Sequence, residues 1–324
     1  MLTGVSLFAG VGGFDLAMQR QGVKVVASVE IDKNCNQVLA QHFPDATQFT
    51  DVTTVKGEDL INAGFTPSTG IITGGFPCQD LSVAGKRAGL AGERSGLFWE
   101  IARIVEETQT EYFIIENVPG LLSSNNGKDF GVIIGTMADL GYSIGWRVLD
   151  AQYFGVPQRR RRVFIVGRRS SNRGVAEILF KSEGLRRDLT QNQQARENIT
   201  NTNATSVTNS GTAATLKVAY SMHGAMIGRN DSAGPSGSGF LGVNKPAYTL
   251  TASSQARHGV VIIESDKSSV RHLTPIEYER LQGFPDNWTA GQPDSIRYKQ
   301  MGNAVAVPVV EWIVQNIVDV AESF

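Results

Sequence analysis

Across the first 168 residues, short apolar runs alternate with stretches whose apolar positions recur every three or four residues. That alternation predicts the strands and covering helices of a doubly wound α/β sheet. The pattern predicts strands over 4–8, 25–30, 70–74, 112–116, 144–149 and 162–167, with a further short strand just before Asp51. Helices are predicted over 14–20, 33–42, 96–107 and 128–140. A Rossmann-like sheet is therefore expected in the N-terminal part of the chain.

From about residue 188 to 256 the composition shifts to Thr, Asn, Ser, Gln and Gly, which cannot supply a large core. Two readings stay open: a flexible insertion, or a loop-rich domain whose polar side chains recognise something. Beyond it, Thr274, Pro275 and Glu277 form a helix-start signature, with Thr274 as N-cap. The apolar stretch 307–320 suits a closing helix that packs back on the first domain. The expected organisation is 1–168, then 169–270, then a C-terminal segment 271–324.

Composition narrows the class. The chain has 324 residues, 41% of them hydrophobic and 19% charged, enough for a sizeable core. No run of about twenty apolar residues occurs, and Met1 leads into an apolar segment without a basic region or cleavage site, so a cytoplasmic protein with no membrane partner is expected. Two cysteines, Cys35 and Cys78, offer neither a disulfide framework nor a structural zinc site. Formal net charge is -1, yet seven arginines and no acidic residue lie between Arg159 and Arg173. Such a face can neutralise phosphates even in a near-neutral protein, or it can be a solvated cluster at a strand end.

The residues with chemistry fall at strand ends. Phe8-Ala-Gly-Val-Gly-Gly-Phe14 lies where the first strand hands over to a helix, so its glycines allow a ligand close to the backbone and the helix N-terminus. Gly10, Gly12 and Gly13 depart from the dinucleotide fingerprint, and an anionic carboxylate suits the helix end as well as a pyrophosphate does. Glu30 ends the second strand, where it can accept ribose hydroxyls, and Asp51 follows the third. Gly74-Gly-Phe-Pro-Cys-Gln-Asp80 follows the fourth, which places Cys78 on a loop at the same edge. A lone cysteine is equally a small buried hydrophobe, the reading kept for Cys35 within its helix pattern. Glu116 ends the next strand, so an acid faces Cys78 across neighbouring strand ends. In Gln158-Arg-Arg-Arg-Arg162, alternation predicts one shared face for Gln158, Arg160 and Arg162.

These segments, with Arg94-Ser-Gly-Leu-Phe-Trp-Glu-Ile-Ala-Arg103, Arg271-His-Leu-Thr-Pro-Ile-Glu-Tyr-Glu-Arg-Leu-Gln-Gly-Phe-Pro285 and Tyr298-Lys-Gln-Met-Gly-Asn-Ala-Val305, stand in one order along the chain. In that order and spacing the chain resembles the C5 cytosine-specific DNA methyltransferases everywhere except about 170 to 265. The resemblance implies a Rossmann-like S-adenosylmethionine-dependent methyltransferase domain with a smaller, loop-rich target recognition domain over 169–270. It implies that Cys78 adds to cytosine C6, that Glu116 acts at N3, and that Arg162 steadies the base at O2. Phe8, Gly12, Glu30, Ile31, Asp51, Val52, Leu97, Asn303 and Val305 would line the cofactor site, with Glu30 on the ribose and Asp51 on the adenine amine. Gln158 and Arg160 would contact DNA, Arg160 at a phosphate, and the loop 79–94 would close over the duplex. The partners implied are double-stranded DNA and a cognate restriction endonuclease, the protein itself acting as a monomer. Arg161 departs from relatives that carry an acid there, and no regulatory segment precedes the first motif, as expected of a bacterial or phage-borne enzyme.

A nicotinamide-dependent oxidoreductase shares the glycine loop and the acid after the second strand, but leaves the Pro-Cys loop and the arginine run idle. A non-catalytic DNA-binding module leaves Cys78 and Glu116 without a task. RNA-directed relatives share the motifs, and the long polar region favours DNA.

Overall fold

A computed structural model of the chain describes residues 1–77, 95–170, 174–180, 218–222, 240–243, 249–250, 259–264 and 267–323. It divides into two compact units, one of residues 1–149, 161–184 and 309–324, the other of 150–160 and 185–308.

In the first unit the chain runs β1 (Thr3–Leu7), α1 (Gly13–Arg20), β2 (Lys24–Val29), α2 (Lys33–His42), β3 (Thr47–Phe49), α3 (Gly57–Asn62), β4 (Gly70–Gly74) and α4 (Phe98–Thr108). It continues with β5 (Tyr112–Asn117), α5 (Lys128–Asp139), β6 (Ser143–Asp150), β7 (Arg161–Arg168) and α6 (Val175–Phe180). Among the described residues these strands form a seven-stranded sheet in the order β3-β2-β1-β4-β5-β7-β6, parallel from β3 to β5, with β7 antiparallel to β5. Strands covered on both faces are apolar throughout rather than alternating. Phe113, Ile114 and Ile115 of β5 are accordingly all fully buried. Register and composition are coupled at Gly167, which pairs with Phe113 and whose added Cβ would stand 1.9 Å from that ring.

Helix boundaries follow local chemistry. The carboxylate of Asp32 accepts the Asn34 N–H at 2.9 Å and starts α2 where expected. On α4, Phe98, Ile101, Ala102, Ile104, Val105 and Thr108 are buried, an apolar face at helical spacing. Each of the strands expected in this unit is present to within a residue or so; α3 and α6 were not expected. Helix α6 belongs to the first unit because Asn316 Nδ2 donates to Ile178 O at 2.9 Å and Arg147 Nη1 to Leu179 O at 2.8 Å.

The second unit holds β8 (Val218–Met222), β9 (Phe240–Val243), β10 (Gly259–Glu264) and β11 (Lys267–His272), an antiparallel sheet in the order β11-β10-β8-β9. Regular strands thus occur where composition pointed to loops, because runs of four to six residues vanish in a seventy-residue average. Then come α7 (Pro275–Gln282) and α8 (Asp294–Asn303). The capping box expected at Thr274 is present: Glu277 N–H donates to Thr274 Oγ1 at 3.3 Å, and Thr274 N–H to Glu277 Oε2 at 2.6 Å. The last helix, α9 (Val307–Glu322), belongs to the first unit from residue 309. The units therefore divide the chain elsewhere than at 168 and 270, with 150–160, α7 and α8 grouped together. Among the described residues no single helix is long and apolar enough to cross a membrane.

Candidate active site

From β1 the chain moves first to β2 and β3 on one side, then returns to β4 on the other. The gap beyond the carboxyl ends of β1 and β4 is the switch point at which open α/β sheets take ligands. The turn after β1 is held open there by backbone in the left-handed region, at Phe8 with φ +56°, Gly10 with φ +56° and Gly12 with φ +82°. A bulky residue such as Phe8 adopts that region only where surrounding structure imposes it. Gly12 begins α1 without a side-chain cap, and a Cβ there would lie 2.5 Å from the Phe43 ring.

Glu30 follows β2, and both its oxygens are anchored: Oε2 accepts the Gly10 N–H at 2.7 Å and Oε1 the Asp32 N–H at 2.8 Å. Its carboxylate is thereby fixed beside the glycine turn with lone pairs to spare for hydroxyls. Ile31 stands 78% exposed next to it, an apolar surface open to a ligand. Asp51 follows β3, and its Oδ1 accepts the Thr53 N–H at 2.9 Å and hydroxyl at 2.7 Å, bonds that hold its pKa below the usual carboxylate value. Val52 is buried in the main core, and Leu97, at the head of α4, is packed against that core. A flat heterocycle with a ribose and a charged tail fits this set: open glycine backbone, a fixed acid, an exposed aliphatic and a second acid at the next strand end.

Beneath the turn is a group the sequence reading missed. Asp15 is fully buried, its Oδ1 accepting hydroxyls from Ser6 at 2.6 Å and Ser28 at 2.7 Å, while Oδ2 has no hydrogen-bond partner among the described residues. Burial pushes its pKa up to about 6 against those bonds. The signal available was an acid set among Phe14, Leu16, Ala17 and Met18 of α1, with serines at paired positions of β1 and β2.

At β5, Glu116 pairs in register with Phe164, and Arg162 lies two residues before Phe164, on the same face of the sheet. Arg162 Nε meets Glu116 Oε1 at 2.8 Å, with 16% and 15% of the two side chains exposed. Gly75 leaves room for that carboxylate, since a Cβ there would stand 3.2 Å from Glu116 Oε2. Asn117 ties the loop after β4 to the end of β5 by donating from Nδ2 to Phe76 O at 3.2 Å. Cys78 and residues 79–94 lie outside the described residues.

Gln158, Arg160 and Arg162 do not share a strand face, because β7 begins only at Arg161. Gln158 is buried in the second unit, donating from Nε2 to Leu281 O at 2.9 Å and accepting the Leu250 N–H at 3.2 Å. Arg160 is 3% exposed and donates to Leu250 O and Gly302 O, each at 3.3 Å. Both side chains, expected from the sequence to contact DNA, are thus buried among main-chain groups. Their heads satisfy main-chain groups at Leu250 and near the ends of α7 and α8, while Arg159 and Arg161 carry the exposed charge. Gln282, also missed, is buried and donates to Met301 O at 2.6 Å and Ala304 O at 3.2 Å, which fixes the segment bearing Asn303 and Val305. Asn303 is exposed at the end of α8 and Val305 buried just beyond it, both in the second unit.

A Rossmann-like sheet with acids and a glycine turn at its switch point defines an α/β protein built to take a ligand at that edge. The chain belongs to the C-5 cytosine-specific DNA methylase family, whose sequence model matches residues 2–319. It is similar to the Type II methyltransferase M.SsoII of Shigella sonnei, 33% identical over 327 residues that cover 98% of this chain and 80% of that protein. M.HhaI of Haemophilus parahaemolyticus is 30% identical over 336 residues, 97% and 93% of the two chains. The crystal structure of S. pombe Dnmt2 methyltransferase covers 99% of both chains with a TM-score of 0.70 at 17% identity, a likeness of fold.

Proposed function

We propose that this methyltransferase moves a methyl group from S-adenosylmethionine to C5 of a cytosine turned out of duplex DNA, within a defined target sequence. The observation that carries the reading is the Arg162–Glu116 pair at the end of β5, tied through Asn117 to the loop that leads to Cys78. An acid and a guanidinium fork at one point match the N3 and O2 edge of cytosine. The Cys78 thiolate adds to C6, and Glu116 supplies a proton at N3, so the ring becomes an enamine with its electron pair at C5. Carbon 5 forms its bond to the methyl group as the methyl–sulfonium bond breaks. A base then removes the C5 proton, the C5–C6 double bond returns, Cys78 leaves as the thiolate, and N3 returns its proton to Glu116. Arg162 holds O2 throughout. The base must leave the stack for this, at a few kcal/mol.

S-adenosylmethionine supplies an electrophilic methyl group when bound. Phe8 and Gly12 offer it backbone, Glu30 the acceptor for its ribose, Ile31, Val52 and Leu97 apolar surface, and Asp51 the acceptor for its adenine amine. Asn303 and Val305 join them by resemblance to the family. Residues 169–270 hold the target recognition function, and the Type II names of the relatives support a modification enzyme paired with a restriction endonuclease, in a bacterial cytoplasm or carried by a phage. Bisulfite sequencing of DNA from cells expressing the chain tests substrate, position and context together. One recurrent sequence with a protected cytosine is expected; unprotected cytosines throughout, from soluble and folded protein, would overturn the reading.

A further inference from the structure

Arg103 lies on α4 between Glu100 and Glu107, its side chain 30% exposed, and every nitrogen of its guanidinium is used. Nε donates to Glu100 Oε2 at 2.8 Å, Nη1 to Glu107 Oε1 at 2.9 Å, and Nη2 to the main-chain carbonyl of Val52 at 2.9 Å. The fork is planar and rigid, so acids one turn to either side aim the remaining N–H. Its target is the residue after Asp51. The Asp51 turn is otherwise closed on itself, by Thr53 on Asp51 Oδ1 and by the Thr54 hydroxyl on Asp51 O at 2.9 Å. Those bonds shape the turn without joining it to anything else. Arg103 joins it to α4, the helix whose head carries Leu97, and Glu107 also accepts the Gly57 N–H at 2.7 Å, seating the start of α3.

We propose that Arg103 is a positioning residue for the methyl donor: by holding the Val52 carbonyl it sets where Asp51 presents its carboxylate, and thereby the affinity for S-adenosylmethionine. This rests on the assignment of Asp51 and Val52 to the cofactor site.

The test compares the full-length parent with Arg103→Met, Arg103→Lys and, as a control for stability, Arg168→Met. The last breaks the Arg168–Glu111 pair, whose Nε···Oε1 distance is 3.0 Å, beside the opposite end of β5. Binding of S-adenosylmethionine is measured by titration calorimetry at a temperature where each protein is folded, and melting temperatures are recorded alongside. Arg103→Met is expected to weaken binding about tenfold or more, the worth of one hydrogen bond from a charged donor. Its kcat at saturating cofactor and its KM for DNA should stay within about twofold. Arg103→Lys, a point charge facing three acceptors, should fall between it and the parent. Arg168→Met should melt lower and bind as the parent does. Parent-like affinity in Arg103→Lys and Arg103→Met, or affinity that follows melting temperature across all three variants, would overturn the proposal. Should Arg103→Met not fold, Arg103→Lys against Arg168→Met decides in the same way. A folded parent that fails to bind S-adenosylmethionine would instead take down the functional assignment, and this proposal with it.

Discussion

Arg162 and Glu116 meet at 2.8 Å across the antiparallel pair β5 and β7, one from the start of a strand and the other from the end of its neighbour. The pair fixes the direction of the Glu116 carboxyl before any base arrives. It also sets the acid and the guanidinium at a spacing that one pyrimidine edge can bridge.

Glu116→Gln keeps the size and the hydrogen bonding of the side chain but cannot supply a proton. General acid catalysis is worth roughly a hundredfold to ten-thousandfold. Methyl transfer should fall within that range while the Kd for S-adenosylmethionine stays within about twofold. Arg162→Ala should also slow transfer, and the double variant should be little slower than the slower single one, since the two groups act on one base. A near-parental turnover for folded Glu116→Gln would remove it from the mechanism.

A second expectation concerns stability. The carboxyl of Asp15 has a folded pKa near 6 against an ordinary value of 3.8, so the native state binds its proton more tightly than the unfolded chain does. Its stabilising effect is complete below about pH 4 and is lost as pH rises towards 6. The difference of about two units corresponds to about 3 kcal/mol at most. Asp15→Asn carries no charge, so its stability relative to the parent should rise by up to that amount between pH 4 and pH 8. Urea unfolding at the two pH values measures it, and an equal difference at both would show that ionisation of Asp15 does not matter.

What could be read from sequence, and what could not, divides along range in the chain. Helix α2 begins at an Asp N-cap and α7 at a Thr-Pro-x-Glu capping box, signals contained within four residues. Glu30 and Glu116 were placed at the edge of the sheet because each terminates an apolar run. Nothing local marks which of Arg159, Arg160, Arg161 and Arg162 turns inward. That depends on carbonyls at Leu250 and Gly302, some 90 and 142 positions away. Gln282 was missed for the same reason, its partners lying 19 and 22 positions away, whereas the partners of Asp15 are only 9 and 13 positions away and its signal, an acid within an apolar helix run, was passed over. Helix α8, with Arg297, Lys299, Gln300 and Asn303 in ten residues, lacks the apolar face by which helices are recognised.

Burial changes what Arg160 should do when removed. Arg160→Ala leaves the Leu250 and Gly302 carbonyls short of a donor, at about 1 to 3 kcal/mol for each unsatisfied group. Unfolding should therefore occur at lower denaturant, while the slope of log K for DNA against log salt stays as in the parent. Arg161→Ala, at an exposed position, should reduce that slope by about one unit if it faces a phosphate. The opposite assignment of the two effects would return Arg160 to the DNA.

Target choice should be separable from chemistry. Because α6 belongs to the first unit and 185–308 to the second, an exchange of 185–265 with the corresponding region of a relative leaves α6, α7 and α8 intact. The methylated sequence should change while the product remains C5-methylcytosine. An unchanged context in a folded, active chimaera would place recognition elsewhere.

The covalent step gives the most demanding test, because it asks one named sulfur to do the chemistry. If the Cys78 thiolate adds to C6, the reaction can end only when C5 gives up its hydrogen as a proton and the sulfur is eliminated. Fluorine at C5 cannot leave as a cation. Duplex DNA with 5-fluorocytosine at the target position should therefore accept the methyl group and stay bonded to the protein through Cys78. The adduct should survive a denaturing gel and should not form without S-adenosylmethionine. Cys78→Ala lacks the nucleophile and keeps the proposed cofactor contacts, so it should bind S-adenosylmethionine and form no adduct. Cys35 is buried in α2, packed with Val38 and Leu39 on that helix's inner face, and Cys35→Ala should trap as the parent does. An adduct formed by Cys78→Ala, or one abolished only in Cys35→Ala, would assign the nucleophile to a different residue.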